Sequence, residues 1–347
     1  MPAAFTRLTA TTLTTLALLS AGGSQAQEKI VLRVADSFPA SGHYFSEPAA
    51  KYFMDAVGRA TNGQVSFEHY PSEQLGKAKD LLALTVSGVV DIGSVMPSYS
   101  SEKMPLSAVA ELPGGFASSC QGTLAYWKLA RDGILAQKEY APNGIRVLFT
   151  LVSVPYQVLL KQKFDSVKEL AGRKLRSTGA ASDSAIRKLN AVPVRMAAPE
   201  IYESLSRGTL DGVVVSYAAA VSYNLHTLVK SVTAGENFAS AVLTYSMSEA
   251  RWKSLPSNVQ QAMLDAGDAA TRRACALMDE NTQADLEKIR QAGASVVRFS
   301  AAEKSDLQHR FSTAGIEWAK DLDGRGKPGT ETLRAFTEAV NSARPPR

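Results

Sequence analysis

The sequence predicts an α/β fold in two lobes, and three observations lead to this prediction. Near the start of the chain, two strand–helix units feed a third strand through connections about as long as a helix requires, which is typical of a parallel sheet. The stretch 161–215 repeats the alternation of strand and helix, with Gly and Pro at the ends of the elements. The 347 residues are also enough for two domains of ordinary size.

The first part of the chain predicts the first lobe. Alternating apolar and polar side chains indicate its early strands, and apolar residues at helical spacing indicate its helices. The segment 96–119 is interrupted by prolines and a Gly-Gly pair, and we expect a long functional loop there. In chain order, the predicted elements are a strand at 30–36, a helix at 48–60, a strand at 64–70, a helix at 77–87, a strand at 89–95, a helix at 121–140 and a strand at 145–152.

We expect the chain to cross into the second lobe at 152–154 and to cross back between 229–234 and 241–247. A helix that opens at Leu255-Pro256-Ser257-Asn258 is predicted to run to about Gln291, and at ~1.5 Å per residue it would be about 50 Å long, enough to run along both lobes. The other predicted elements are strands at 156–160, 173–177, 210–215, 229–234, 241–247 and 295–299 and helices at 199–207, 217–225, 302–320 and 330–343.

Residues 1–26 have the pattern of a cleavable signal peptide. Arg7 supplies a positive start, residues 8–21 form an uncharged apolar run, and Ser24-Gln25-Ala26 supplies the small residues that a signal peptidase reads, so we predict cleavage after Ala26. No later run approaches the roughly 20 apolar residues of a membrane span, so we expect an exported, soluble protein. The predicted boundaries are 1–26 for the signal peptide, 27–152 plus 238–275 for lobe 1, and 153–237 plus 276–347 for lobe 2.

The charge of the chain argues against nucleic acid as a partner. The formal net charge is +5, and it becomes +4 when Arg7 is removed with the signal peptide. Lys and Arg are scattered among Asp and Glu instead of forming a patch. A mildly basic protein of this kind is consistent with anionic ligands.

The chain contains two cysteines, Cys120 and Cys275. In an exported protein they could form a disulfide. However, Cys275 lies on the predicted long helix and Cys120 follows a Gly-Gly-Phe-Ala-Ser-Ser loop, so we expect two distant, buried thiols instead.

Arg176 is the cation that we expect to contact a ligand. It lies near the C-terminal end of the short predicted strand RKLRS, which follows Gly172. In open α/β sheets, ligands bind at that edge of the sheet. A guanidinium presents a planar fork that matches a carboxylate, so an organic acid is the natural ligand.

Several blocks of the sequence resemble the periplasmic solute-binding proteins of TRAP transporters, the DctP family. In the family's order, they are LRVADSFPASGHY, YPSEQLGKAKDLLALTVSGVVDIG, FDSVKELAGRKLRS, VPVRMAAPEIYESLSRGTLDG and LPSNVQQAM. The resemblance implies a two-lobed periplasmic binding protein fold with crossing strands, a long interlobe helix and a periplasmic location. It also implies that the arginine of the G-x-K-x-R block, here Arg176, pairs with the ligand carboxylate, and that the partners are the small and large membrane permease subunits.

The sequence departs from better-known members at other pocket positions. Tyr156 stands where sialic-acid binders have a second arginine, and Val213–Val215 replaces the polar residues of a common DGQEN block. Met96 or Pro97 replaces an acidic residue. We therefore expect a monocarboxylate with an apolar or aromatic body, with a C4-dicarboxylate as the alternative.

The predicted ligand-binding set combines the anchor with residues at strand ends and in the nearby loops. His43, Ser98 and Tyr99 are as well explained by an ordinary loop, and aromatic residues on an α/β sheet are more often plain core. The predicted ligand-binding residues are Arg176, Tyr156, Tyr217, Ser37, Val215, Met96, Ser98, Tyr99, His43 and Phe238.

Two other classes of function are weighed against transport. An enzyme is disfavoured because the sequence has no G-x-S-x-G elbow, no H-E-x-x-H motif, no paired Cys/His metal spacing and no phosphate loop. We therefore predict no catalytic residues, no metal and no cofactor. A ligand-binding module of a sensory system would share the fold, and only neighbouring genes would separate it from a transport protein.

Overall fold

The computed structural model describes Met1 and residues 29–343. The predicted signal peptide and its cleavage site lie outside the described residues. The described chain contains eleven strands in two sheets. They are β1 (Ile30–Ala35), β2 (Val65–Tyr70), β3 (Ile92–Val95), β4 (Ile145–Val152), β5 (Gln157–Leu160), β6 (Lys174–Ser177), β7 (Val192–Arg195), β8 (Gly212–Val215), β9 (Ser231–Thr233), β10 (Val242–Ser248) and β11 (Ser295–Val297).

Both sheets mix parallel and antiparallel strands. The five-stranded sheet has the order β2-β1-β3-β10-β4, and the parallel pairing predicted for the first three strands is confirmed. Strand β10 enters from the other sheet and is antiparallel to both of its neighbours, β3 and β4. The six-stranded sheet has the order β11-β9-β5-β8-β6-β7, in which β6 is parallel to β7 and β8.

Eleven α-helices cover the sheets, and short 3₁₀ or π turns join several of them to the strands. Apolar residues at helical spacing direct one face of each longer helix into the core. The helices are α1 (Tyr52–Ala60), α2 (Leu81–Val86), α3 (Ser119–Arg131), α4 (Ala180–Lys188), α5 (Ile201–Ser206), α6 (Tyr217–Ser222), α7 (Glu249–Ser254), α8 (Ser257–Gln291), α9 (Ala301–Ser312), α10 (Ala314–Gly324) and α11 (Gly329–Ser342).

The long helix α8 is confirmed. Its 35 residues make it about 50 Å long, and it packs against α1, α3 and β4 at one part and against α6 at another. A side chain at Gly267 would collide with the carbonyl oxygen of Leu148, so this glycine lets α8 lie directly on β4. Leu286 and Ile289, near the end of α8, are buried in the apolar cluster of the second sheet.

Two of the predicted helices are broken in the structure. The helix predicted at 121–140 is α3 followed by a separate π-helical turn at Ala136–Tyr140. The break falls at Gly133, where a side chain would press on the backbone of the preceding helical turn. The helix predicted at 302–320 is divided into α9 and α10 at Thr313, whose hydroxyl donates to the Glu317 side chain at the start of α10 (2.5 Å).

The chain passes from the first sheet to the second between β4 and β5 and returns between β9 and β10. The two crossing segments pair with each other: the Ser153 amide donates to the Ala241 carbonyl (2.9 Å), and the Tyr156 amide donates to the Ala239 carbonyl (2.8 Å). The Ser240 hydroxyl also donates to the Ser153 carbonyl (2.7 Å). The crossings therefore form one double connection, and the residue ranges given above for the two lobes stay a prediction.

The expectation of two separate thiols is wrong, because Cys120 and Cys275 form a disulfide. It joins the first turn of α3 to the middle of α8, with the two Cα atoms 4.7 Å apart. Asp279, one turn further along α8, accepts hydrogen bonds from the backbone amides of Ser119 (2.7 Å) and Cys120 (3.0 Å). Packing of α3 across α8 brings together two cysteines that are 155 residues apart in the sequence.

Removing the disulfide is expected to destabilise the protein. A cross-link that closes a loop of 155 residues restricts the unfolded chain strongly, and disulfides typically contribute about 2–4 kcal/mol. Chemical unfolding of a Cys120→Ala/Cys275→Ala double variant should show a loss of this size. A reductant should lower the stability of the native protein toward that of the variant and leave the variant unchanged. Equal midpoints for the oxidised protein and the variant would contradict this expectation.

Candidate functional site

Arg176 lies in β6, one residue from its C-terminal end, and only 2% of the residue is exposed. Its Nε donates to the carbonyl oxygen of Met196 (3.1 Å). Among residues 29–343, no carboxylate oxygen lies within 4.0 Å of its guanidinium, whereas Arg195 on the neighbouring strand pairs with Asp183 (2.6 Å). Burying an uncompensated charge is costly, so this arrangement is suited to an anion that arrives from outside.

Four tyrosines lie within reach of the Arg176 charge, and two of them, Tyr99 and Tyr156, lie beside the guanidinium. Tyr156 is fully buried at the start of β5, and Tyr44, Tyr99 and Tyr223 are half-buried. Burial of their hydroxyl groups raises the pKa of all four tyrosines, and the charge of Arg176 opposes this rise in each case. The hydroxyls therefore stay neutral near pH 7 and present donors and acceptors around the cation.

His43 is buried beside these tyrosines. Its ring stacks on Phe38 (centroids 4.1 Å apart) and approaches the rings of Tyr44 (4.3 Å) and Tyr223 (5.9 Å). Burial lowers the pKa of His43 to about 3, so the ring is neutral near pH 7. Because Nδ1 accepts from the backbone amide of Ser46 (3.2 Å), the hydrogen-bond network assigns the proton to Nε2, which has no partner among the described residues.

Glu111 is an acidic neighbour of the cluster that the sequence did not predict. The side chain is buried, and its Oε1 accepts from the Val242 amide (3.2 Å) where the chain returns to the first sheet. Burial raises the pKa of Glu111 to about 7, although the Val242 hydrogen bond and the charge of Arg176 act to lower it. The hydroxyl of Ser98 lies toward Glu111 but forms no hydrogen bond of normal geometry within the described chain.

The segment after β3 connects the two sheets across the cleft. Ser98 packs so closely on Gly179, at the start of α4, that a side chain at Gly179 would meet the Ser98 carbonyl oxygen at 2.7 Å. The Tyr99 hydroxyl accepts from the Ala198 amide (2.9 Å). These contacts bring the strand ends of both sheets together around Arg176, so the structure has a closed cleft.

Most of the predicted residues lie at this junction of the strand ends. Ser37 and Met96 are buried just after β1 and β3, whose C-terminal ends meet at one edge of the first sheet. Val215 is buried at the end of β8, paired with Gln157. The structure thus brings His43, Ser98, Tyr99 and Tyr156 into the surroundings of Arg176, and their contacts with a ligand stay a prediction.

Tyr217 and Phe238 have other contacts. The Tyr217 hydroxyl donates to the Thr233 carbonyl (2.7 Å), and its ring lines a groove of about 1110 Å³ that also contains Arg298. The structure therefore does not bring Tyr217 together with Arg176, because the first turn of α6 directs its ring toward β9. The ring of Phe238 packs edge-on against Phe299 (6.4 Å) and Phe311 (6.2 Å), so it contributes to the core near the C-terminal helices.

Sequence reasoning missed Glu111 and Tyr223. Glu111 is the only acidic residue between positions 104 and 131, and this isolation within an apolar segment was a usable signal. Tyr223 lies six positions after Tyr217, so a helix that joins them places the two rings on different faces. Only the orientation of α6 decides which of the two rings points toward Arg176.

Two further properties of the described chain bear on its function. Within residues 29–343, no group of three His, Cys, Asp or Glu side chains is arranged to hold a metal ion. Of the helices in this part of the chain, none combines the length and the apolar character needed to cross a membrane.

The chain matches the family of bacterial extracellular solute-binding proteins, family 7 (DctP), over residues 39–321. It is 25% identical to the C4-dicarboxylate-binding periplasmic protein DctP of Rhodobacter capsulatus over 308 residues, which are 84% of this chain and 86% of that protein. The family match covers the long helix and every strand except β1.

Two crystal structures have a similar fold. One is a TRAP solute-binding protein from a marine metagenome that is specific for aromatic acid ligands and contains 3-hydroxybenzoate. Its TM-score is 0.85 at 23% identity, over 92% of this chain and 100% of that chain. The other, from Rhodoferax ferrireducens T118, contains copurified benzoate, with a TM-score of 0.84 at 22% identity over 91% of this chain and 98% of that chain. These similarities show the two-lobed fold.

Replacing Glu111 with Gln is expected to change how stability depends on pH. Folding raises the pKa of this carboxyl from 4.5 to about 7, so between these values the folded protein keeps a proton that the unfolded chain has lost. Glu111 therefore makes the native protein lose stability as the pH rises from about 4.5 to 7. Melting temperatures of the native protein, relative to Glu111→Gln, should fall over this range.

The exposed Glu280 on α8 provides the matched control. Glu280→Gln should melt in parallel with the native protein at every pH. The comparison between variants also removes the opposite effect of His43, whose lowered pKa makes stability rise with pH between about 3 and 6.5. Parallel curves for the native protein and Glu111→Gln would contradict the assignment.

Proposed function

Because the chain belongs to the family 7 bacterial extracellular solute-binding proteins, the DctP family of TRAP transporters, we propose that it captures a monocarboxylate with an apolar or aromatic body. Proteins of this family bind solutes in the periplasm and are not enzymes. In the proposal, Arg176 holds the ligand carboxylate, and the loaded protein delivers the ligand to the small and large permease subunits of a TRAP transporter. The observation that carries it is the buried guanidinium of Arg176, which no carboxylate of the described chain neutralises.

The chemistry of the anchor favours a carboxylate. Nε of Arg176 is held by Met196, which fixes the plane of the guanidinium and leaves its two terminal nitrogens for a bidentate interaction. Each hydrogen bond to a charged group contributes about 1.5–3 kcal/mol. The neutral hydroxyls of Tyr99 and Tyr156 flank the guanidinium and can complete the hydrogen bonding of a carboxylate oxygen.

The surroundings favour one carboxylate over two. Arg195 lies on the neighbouring strand β7, one residue beyond the register partner of Arg176. It is already paired with Asp183, so it does not offer a second cation to the cleft. Tyrosine rings, His43 and Met96 supply flat and apolar surfaces for the body of the ligand. The aromatic acids bound by the two similar structures support this choice, and the C4-dicarboxylate protein of Rhodobacter capsulatus supplies the alternative.

A thermal-shift panel tests the class of ligand. Benzoate, 3-hydroxybenzoate, phenylacetate and mandelate should raise the melting temperature in a concentration-dependent way, because a ligand that binds only the folded protein stabilises it by mass action. Succinate and malate at the same concentrations should give little change. A strong response to succinate with none to the aromatic acids would replace the proposal with the dicarboxylate alternative.

Substitution of Arg176 tests the anchor. Arg176→Gln should weaken binding of the best ligand in the panel about 100-fold or more, because two charge-assisted hydrogen bonds are lost and 1.4 kcal/mol corresponds to about tenfold in Kd. Arg176→Lys should recover only part of the affinity, since a point charge does not replace the fork. Isothermal titration calorimetry measures both values.

Arg207→Gln is the matched control. Arg207 is an exposed arginine directly after α5, and it pairs only with Glu203 (2.8 Å). It should bind with the native affinity. The ligand-free melting temperature separates binding from folding: Arg176→Gln removes an uncompensated buried charge and should not destabilise the empty protein. Native affinity in Arg176→Gln would exclude Arg176 as the anchor.

A further inference from the structure

Several buried polar atoms near Arg176 lack hydrogen-bond partners within the described residues. Two of them, Nε2 of His43 and the hydroxyl oxygen of Tyr223, belong to neighbouring rings. The two rings lie edge to face, with centroids 5.9 Å apart. Buried polar groups are paired in the great majority of cases, so two adjacent unpaired groups beside a ligand anchor require an explanation.

The two residues come from opposite sides of the cleft. His43 belongs to the segment that follows β1 in the first sheet, and Tyr223 lies at the end of α6, which follows β8 in the second. The hydroxyl of Ser222 donates to the Gly42 carbonyl (3.1 Å) and joins the two segments directly. The pair is therefore assembled when the two sides of the cleft meet.

Both groups are hydrogen-bond donors. His43 is neutral, and its Nδ1 already accepts from the backbone of Ser46, so Nε2 carries the proton. The Tyr223 hydroxyl can donate to the same acceptor. One oxygen atom of a ligand placed between them would satisfy both donors, at a point separate from the guanidinium that takes the carboxylate.

The charges nearby favour a neutral oxygen over a second carboxylate. Asp36 is fully buried behind the pair, where its Oδ2 accepts from the Tyr245 hydroxyl (2.7 Å) and lies 2.7 Å from His69 Nε2. Burial and Tyr99 raise the pKa of Tyr223 and Asp36 adds to the rise, whereas the charge of Arg176 opposes it. Once the ligand carboxylate pairs with Arg176, a second anionic group at this point would face Asp36 without a free cation, whereas a hydroxyl or carbonyl oxygen would not be repelled.

We propose that His43 and Tyr223 form a second polar subsite, which binds a hydroxyl or carbonyl oxygen on the body of the ligand. The protein then prefers a hydroxy- or oxo-substituted monocarboxylate to the unsubstituted acid. This inference rests on the proposed function, because it assumes that Arg176 takes the carboxylate. To that proposal it adds the kind of substituent that the ligand carries and the two residues that recognise this substituent.

Calorimetric titration of matched pairs of acids tests the subsite. The pairs are benzoate with 2-, 3- and 4-hydroxybenzoate, and phenylacetate with mandelate. In at least one pair the native protein should bind the substituted acid about 5-fold or more tightly than its parent, in line with the ordinary contribution of a net hydrogen bond. Tyr223→Phe should bring that ratio close to one and leave the affinity for the parent acid within about twofold.

Two more variants complete the design. His43→Asn keeps a side-chain oxygen that can accept the backbone amides, but its side chain is too short to reach the position of Nε2, so it should also reduce the ratio. Tyr217→Phe is the control on the same helix. The hydroxyl that it removes donates to the Thr233 carbonyl, so the affinity ratio should stay unchanged. Tyr223→Phe should melt, without ligand, at or above the native temperature, because it removes an unpaired buried hydroxyl.

The outcomes separate the two proposals. If the parent acids and their substituted partners bind equally to the native protein, or if Tyr223→Phe and His43→Asn keep the native ratio, the second subsite is wrong and the carboxylate proposal stands. If none of these acids binds, the proposed function is itself overturned. A fall in the ligand-free melting temperature of Tyr223→Phe would show that its hydroxyl serves folding instead.

Discussion

The buried guanidinium of Arg176 is the constraint on which the site depends. A charge taken out of water is costly unless a partner compensates it, and within the described chain the partner offered to Nε is only the carbonyl of Met196. The surrounding tyrosines reduce this cost with their hydroxyl dipoles but do not remove it. The buried guanidinium is therefore the feature on which the proposed binding of a carboxylate rests.

The framework that holds this cation is fixed at the crossings between the sheets. Tyr156 lies directly on one crossing, and its amide pairs with the returning segment at Ala239. The Ser119 hydroxyl donates to the carbonyl of Val152 where the chain leaves the first sheet (2.6 Å), next to the disulfide between α3 and α8. The base of the cleft is thus cross-linked, while the sides are joined by individual hydrogen bonds, such as those from the Ala198 amide to Tyr99 and from the Ser222 hydroxyl to Gly42. This difference is what a cleft that opens and closes requires.

The features that depend on local sequence could be predicted. The contacts between residues that are far apart in the chain could not. The strands, the long helix and the position of Arg176 at a strand end follow from periodicity and from Gly and Pro at element ends. The disulfide could not be predicted, because its cysteines are 155 residues apart and nothing local pairs them. Tyr223 was missed for a related reason: the sequence places Tyr217 and Tyr223 on one helix, and only packing of α6 against its neighbours decides which ring faces Arg176.

The distribution of charge around the cleft is the basis for proposing a monoanion as its ligand. Arg176 supplies one positive charge, and Asp36 and Glu111 lie nearby as buried acids. Burial holds the pKa of Glu111 at about 7, so below this pH the carboxyl is mostly neutral and leaves the guanidinium to the ligand. When Glu111 ionises, its charge acts on the same guanidinium and repels the ligand carboxylate. A second negative charge on the ligand would meet the same repulsion without a second cation, whereas the subsite that we propose at His43 and Tyr223 takes an uncharged oxygen.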